Sequence, residues 1–209
     1  MNSYSQYGED EIVASHFPED FKGKVLEIGA WNPTQFSNSR AFIDRGWDAV
    51  LIEPTPLAVE ALVREYGNNP AVTVISAAVG LGPTPLKMTI TADAVSSSDE
   101  NVVNLWQQVG GYYGKLHVAT LEPFEVVGLY GPFDVVSIDA EGMSVELLEQ
   151  FADIWEFGGP HDCNLAKPRV IVVEFDGRRE RVWAIAGRLG FKVVMDGNVN
   201  GTNMILARI

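Results

Sequence analysis

Cysteine, basic side chains and long apolar runs are all scarce in this chain. The one cysteine, Cys163, lies between Asp162 and Asn164. A lone thiol closes no internal disulfide, which suits a reducing cytoplasm, and no partner for nucleophilic work stands beside it. No apolar stretch nears the roughly 18 residues of a membrane span. The opening run Met1-Asn2-Ser3-Tyr4-Ser5-Gln6 has neither the basic region nor the apolar core of a signal peptide. The expectation is a cytoplasmic protein with no membrane partner. Lys and Arg total 15 against 28 Asp and Glu, a formal charge of −13. That imbalance argues against nucleic acid as a partner. A cationic ligand or a neutral polyol suits it, as does solubility alone. No internal repeat, low-complexity segment or linker interrupts the 209 residues, so one domain over 1–209 is expected.

Runs with the periods of strands and helices alternate along the chain. Strands are expected at 24–28, 49–53, 72–76, 134–139 and 169–175, and helices at 5–17, 37–45, 56–66 and 178–189, with another starting near Ser144. Ser5 is the expected N-cap of the first helix, inside an N-terminal helical cap over 1–22. Pro56 suits the first position of the third helix. Residues 86–91 alternate enough for an extra strand. Residues 92–117 are polar and rich in Ser, Asn and Gly, with Trp106, Tyr112 and Tyr113 embedded; such a length suits a lid or substrate loop. Two last strands, at 191–195 and 203–207, flank the turn-rich Asp196-Gly197-Asn198-Val199-Asn200-Gly201. The fold class is therefore α/β: a doubly wound, Rossmann-like sheet, mostly parallel, with a C-terminal antiparallel hairpin.

Ligands of such sheets bind beyond the carboxyl ends of the strands. Glu27, Glu53, Ala77-Ala78, Asp139 and Glu174 all fall at such ends. In Lys24-Val25-Leu26-Glu27-Ile28-Gly29-Ala30 a strand ends in an acid and a glycine, and a glycine lets a ligand approach the backbone closely. Glu53 follows 24 residues after Gly29 at the tip of the next strand, where an acid accepts both hydroxyls of a ribose. The pair describes a pocket for an adenosine-containing cofactor. A dinucleotide site wants Gly-x-Gly-x-x-Gly to seat its pyrophosphate, whereas Gly29-Ala30-Trp31-Asn32-Pro33-Thr34 has one glycine. Glu27 would repel a pyrophosphate but suits an α-amino group. The pattern favours S-adenosylmethionine (SAM) over a nicotinamide dinucleotide, with Glu27, Gly29 and Ala30 at its methionine end, Glu53 and Pro54 at its ribose, and Ala77 and Ala78 at its adenine edge.

Several short motifs recur in a fixed order: Ser5-Gln6-Tyr7-Gly8-Glu9-Asp10, Glu27-Ile28-Gly29-Ala30, Phe36-Ser37-Asn38, Gly46-Trp47, Ile52-Glu53-Pro54, Ala77-Ala78-Val79-Gly80, Ser137-Ile138-Asp139-Ala140-Glu141-Gly142 and Gly201-Thr202-Asn203. This series resembles the FkbM family of SAM-dependent methyltransferases over almost the whole chain. The resemblance implies a class I methyltransferase fold and, usually, O-methylation of a hydroxyl on a sugar, glycan or secondary metabolite. Where the family commonly has Gly-Ala-Asn-Asp-Gly, this chain has Gly29-Ala30-Trp31-Asn32-Pro33. Trp31 and Pro33 motivate the alternative of a degenerate SAM-fold protein that binds without turnover.

Methyl transfer requires the acceptor oxygen on the line of attack and a group to take its proton. Asp139, beside the expected methyl position and also at the cofactor, is the first candidate for that group; capping the following helix is its plain structural role. His117 is the second candidate base. Glu141, Trp106, Tyr112 and Tyr113 are expected around a small-molecule or glycan acceptor, although Glu141 would equally meet the N-terminal dipole of the following helix and the three aromatics would equally pin a lid to the core. No metal is expected, but Glu174 and Asp176 could join Asp139 as hard oxygen ligands for Mg²⁺. Gln6 and Glu9 would close over the cofactor or cap a helix. Arg178, Arg179 and Arg181 read as a solvated helix face or a phosphate contact. His16 and His161 read as surface residues.

Overall fold

The structure, a computed structural model, describes residues 2–91, 96, 112–158, 166–197 and 202–208, with the main chain alone at Thr91, Tyr112 and Tyr113. Along the chain come α1 (Glu9–Ala14), β1 (Lys24–Ile28), α2 (Arg40–Asp44), β2 (Asp48–Glu53), α3 (Pro56–Tyr66), β3 (Val72–Ser76) and β4 (Ala78–Val79). There follow β5 (Leu86–Thr91), β6 (Tyr112–Val118), β7 (Thr120–Leu121), α4 (Pro123–Tyr130), β8 (Val135–Ile138) and α5 (Ser144–Phe157). The chain closes with β9 (Val170–Glu174), α6 (Arg179–Leu189), β10 (Lys192–Asp196) and β11 (Asn203–Ala207).

Seven strands form one sheet in the order β10-β11-β9-β8-β1-β2-β3. The run from β9 to β3 is parallel, and β11 lies antiparallel between β9 and β10. The doubly wound sheet and its terminal hairpin are as expected. Side chains alternate between faces along each strand. Leu26, Ile28, Val50 and Ile52 meet Leu148 and Phe151 of α5 and Val182 of α6 on one face. Val25, Ala49 and Leu51 meet Phe42 of α2, Trp47 and Leu62 of α3 on the other. With both faces covered, the central strands read as near-continuous apolar runs. Glu27 and Glu53 interrupt them, and both are buried. Among the described residues no helix is long and apolar enough to cross a membrane.

Three of the differences from expectation bear on the site, the first two because a side chain claims the backbone and the third because two strands pair; the helix α4 and the short strands β4 and β7 were not expected. The first helix starts at Glu9 rather than Ser5, and Gly8, at φ 82, occupies its N-cap position. The buried Asp10 is the reason. It accepts from Ser3 Oγ (2.7 Å), Ser5 Oγ (2.8 Å) and Tyr4 N–H (2.7 Å), which wraps the preceding residues into a loop. The helix after β1 starts at Arg40 rather than Ser37, since the donors of residues 37–39 turn inward to Glu27. Residues 112–117, expected within a lid, belong to β6. They pair antiparallel with β5, placing His117 opposite Lys87. Met88 and Val118 of this hairpin pack on Ala78, while β4 pairs with β7. Trp106, the side chains of Tyr112 and Tyr113, His161, Cys163 and residues 198–201 lie outside the described residues.

Gly29 is where the fold is tightest. Its φ is 80, and a Cβ there would lie 1.9 Å from the carbonyl oxygen of Asp139. The close approach needing a glycine is thus made by the end of β8, within the protein itself. Gly29→Ala should therefore cost about 3 kcal/mol, through overpacking and strain together. At Gly177, where φ is 72 and nothing lies within 4 Å of an added Cβ, Ala should cost only about 1–2 kcal/mol. Urea unfolding of the two variants checks the contrast.

Candidate functional site

Five parallel strands, β9, β8, β1, β2 and β3, end along the carboxyl edge of the sheet. Glu27 of β1 stands level with Leu51 of β2 and Ser137 of β8. Its carboxylate accepts from Asn38 N–H at 2.7 Å, Ser37 Oγ at 3.2 Å and Ser39 Oγ. Burial pushes this carboxyl up, and the Ser39, Asn38 and Ser37 donors pull it back. Asn38 also donates to Ser137 Oγ at 3.1 Å, tying the same loop to β8. Glu27, expected at the methionine end of a cofactor, thus holds the loop between β1 and α2. The motif Phe36-Ser37-Asn38 was the sequence signal for these partners, which residue-type reasoning missed.

Glu53 ends β2. Its Oε1 accepts from Thr55 N–H at 2.6 Å and its Oε2 from Trp31 N–H at 3.2 Å. Each carboxylate oxygen can take a second donor. Burial pushes its pKa up against these donors. Pro54 follows it directly, and Ala30, 3% exposed, donates its N–H to Ile52 O at 3.3 Å. The turn carrying Trp31 and Pro33 is well tied. Asn32 Oδ1 accepts from Thr34 and Gln35 N–H, both at 3.0 Å. Tyr66 Oη donates to Pro33 O at 2.8 Å. The Trp31 and Phe36 rings stack with centroids 6.1 Å apart. Ala77 and Ala78 are buried just beyond β3, where Ala78 N–H bonds Ala119 O at 2.9 Å.

The ends of β8 and β9 bring acids together. Asp139, Glu141 and Glu174 each offer an oxygen within 4.8 Å of the others. Asp139 Oδ1 and Glu174 Oε2 are sealed from solvent and accept no hydrogen bond among the described residues. Burial, with the charges of Asp176 and Glu9, raises the Asp139 pKa; burial, with the charges of Asp139, Glu141 and Asp176, raises that of Glu174 further. The two carboxyls stand within hydrogen-bonding reach, a contact that lowers the Asp139 pKa and raises that of Glu174. Asp176, expected beside them as a ligand, is committed elsewhere. Its Oδ1 accepts from Gly142 N–H at 3.1 Å and its Oδ2 pairs with Arg178 at 2.8 Å. Glu141 takes its place, held at φ 34.

The remaining candidates are dispersed. His117 is exposed on β6. Gln6 is exposed, whereas Glu9 is fully buried and accepts from Asn203 Nδ2 at 2.8 Å and Tyr7 N–H at 2.8 Å. Asn203 stands opposite Glu174 in the sheet, so the N-terminal loop closes behind the acidic group. Arg178 pairs with Glu146 and Asp176, and Arg181 with Glu146 at 2.8 Å and Glu149 at 2.7 Å. Arg179 bonds Gly197 O at 2.9 Å. These cations stitch α5, α6 and the β8 and β9 turns together.

With this geometry in place, likeness to solved structures identifies the fold. The crystal structure of methyltransferase FkbM from Methylobacillus flagellatus KT matches with a TM-score of 0.50 at 13% identity, covering 89% of this chain and 43% of its own. The chain therefore spans less than half the length of that protein. A fibrillarin/Nop5p complex matches with a TM-score of 0.50 at 14% identity, covering 96% of this chain and 79% of its own. The fold is a Rossmann-like methyltransferase fold. No family model matches the sequence, and no curated protein matches it.

In this methyltransferase fold the raised pKa of Glu174 has a consequence for stability. A carboxyl whose pKa folding raises favours the folded state below its unfolded value, 4.5 for Glu174, and loses that contribution as the pH climbs through the folded value. Glu174→Gln removes this titration. Its melting temperature should exceed that of the unmodified protein by about 2–6 °C at pH 8 and by nothing at pH 4. Thermal melts across this range read the difference.

Proposed function

We propose that the protein is a SAM-dependent methyltransferase acting on a hydroxyl of a sugar, glycan or secondary metabolite. The observation that carries this reading is Glu53 at the tip of β2, whose oxygens hold the backbone N–H groups of Trp31 and Thr55 together with the Thr55 hydroxyl and keep room for one further donor. It stands beside a single-glycine turn that offers no phosphate cradle, on the ligand-binding edge of a methyltransferase fold. Both features fit a ligand with a ribose and a cationic centre but no phosphate. SAM supplies, when bound, a methyl group activated by its sulfonium. Glu53 and Pro54 hold the ribose end, the Gly29-Ala30 turn the methionine end, and Ala77 and Ala78 flank the adenine. Glu27 acts here through the loop it organises. Asp139 would take the proton of the acceptor hydroxyl, and bound SAM would supply the methyl group. Glu141 lines the acceptor side.

A second reading, a SAM-fold protein that binds without turnover, was motivated by Trp31 and Pro33. The hydrogen bonds through Trp31 N–H and Pro33 O support a formed turn, which both readings require, so turnover separates them.

S-adenosylhomocysteine at about 100 times its dissociation constant should raise the melting temperature by about 5–10 °C. Glu53→Ala should weaken that binding about 10-fold or more. Asp139→Asn should keep the thermal shift and lower transfer of isotope-labelled methyl to hydroxylated acceptors about 100-fold. A shift without turnover across the acceptor panel favours the second reading. No shift with SAM or S-adenosylhomocysteine overturns both.

A further inference from the structure

We infer that Tyr66 is a positioning residue for the SAM site: its hydroxyl holds the turn over residues 29–34 in the place that receives the cofactor, and Arg40 aims that hydroxyl. The inference rests on the SAM reading and deepens it. The two halves of the turn are held differently. The first half is tied to β2, by Gly29 N–H to Ile52 O at 2.9 Å, Ala30 N–H to Ile52 O at 3.3 Å and Trp31 N–H to Glu53 Oε2 at 3.2 Å. In the second half Asn32 Oδ1 accepts from Thr34 and Gln35 N–H, both at 3.0 Å. Those bonds shape the turn without fixing where it lies. Pro33 has no N–H, so its carbonyl is the backbone group left to anchor it. Tyr66 Oη donates to that carbonyl at 2.8 Å.

Helical period puts Tyr66 where it can do this. Ala58, Leu62 and Tyr66 recur every four residues along α3 and form its buried face. Tyr66 is 4% exposed, in the core that also holds Trp47 and Leu62. Its hydroxyl has one hydrogen to give and lone pairs to receive. Arg40, the first residue of α2, donates from Nη1 to that oxygen at 3.4 Å. A guanidinium only donates, so the single hydrogen of Tyr66 is left for Pro33 O. Arg40 is itself tightly placed. It pairs with Asp44 at 2.9 Å and Glu65 at 2.5 Å, and lies over the rings of Tyr4 at 5.6 Å and Tyr66 at 5.5 Å. Burial pushes the phenol up to about 12, so it stays a donor throughout the neutral range.

A loose turn would have to be ordered by its ligand, and that cost is subtracted from affinity. Here the proline fixes its own φ and the Tyr66 bond fixes its carbonyl, so the ordering is supplied before the cofactor arrives. Tyr66, 33 residues further along the chain, thus acts on SAM through Pro33.

Isothermal titration of the full chain with SAM and with S-adenosylhomocysteine tests this. Tyr66→Phe removes the hydroxyl and keeps the ring in the core, and should weaken both ligands about 3- to 10-fold. Arg40→Lys keeps the charge without the planar fork and should weaken them by less. Trp47→Phe separates affinity from stability, because it lies in the same core and donates to Phe21 O rather than to the turn. It should lower the melting temperature at least as far as Tyr66→Phe does and leave both affinities unchanged. Unchanged affinities in Tyr66→Phe would overturn the inference and leave the SAM reading standing, as would an equal loss in Trp47→Phe. Failure of the unmodified protein to bind either ligand would overturn the SAM reading, and the inference with it.

Discussion

The turn after β1 and the end of β8 are pressed together, main chain against main chain, and the functional edge takes its shape from that contact. Asp139 N–H donates to Ile28 O at 3.0 Å, and Gly29 N–H donates to Ile52 O at 2.9 Å. Three strand ends are thereby locked side by side, with Gly29 leaving no room for a Cβ beside the Asp139 carbonyl. The acid of β2, the turn of β1 and the acid beyond β8 then face one region. Ligands of open α/β sheets are received in this position, and here one glycine makes the alignment sterically feasible.

Around that edge the acidic residues divide by whether their oxygens are satisfied. Asp10 gathers the N-terminal loop, Glu27 the loop before α2, Glu9 joins Asn203, and Asp176 joins two turns. These carboxylates act as internal clamps: each accepts donors that would otherwise leave loops unsupported. Asp139 and Glu174 each keep one sealed oxygen without a donor among the described residues. A fold that satisfies most of its acids and leaves sealed oxygens of Asp139, Glu174 and, in the arginine network, Glu146 without a donor gives up stability locally, and such departures concentrate at functional sites.

Much of this was legible in the chain itself. The order of strands and helices followed from hydrophobic period, and the expected limits of β1, β3 and β11 coincide with those observed. Glu53 and Asp139 were placed at strand ends because apolar runs stopped there. The partners of the acids were far less legible. Nothing local to Glu27 says that residues ten to twelve positions on would turn back to it. Likewise Ser5 has the residue type of an N-cap, and only the burial of Asp10 shows that its hydroxyl serves another group.

By itself, then, the sequence determined the alternation of elements, the sheet class with its terminal hairpin, and the few carboxylates that interrupt apolar strands. Those depend on periodicity and residue type, which act over a few neighbouring positions. Tertiary structure alone decided which carboxylates are clamps and which are available, that Glu141 rather than Asp176 joins Asp139 and Glu174, and that Gly29 accommodates protein backbone. Each of these is a distance between residues far apart in the chain, set by strand register and loop closure, and no local pattern encodes it.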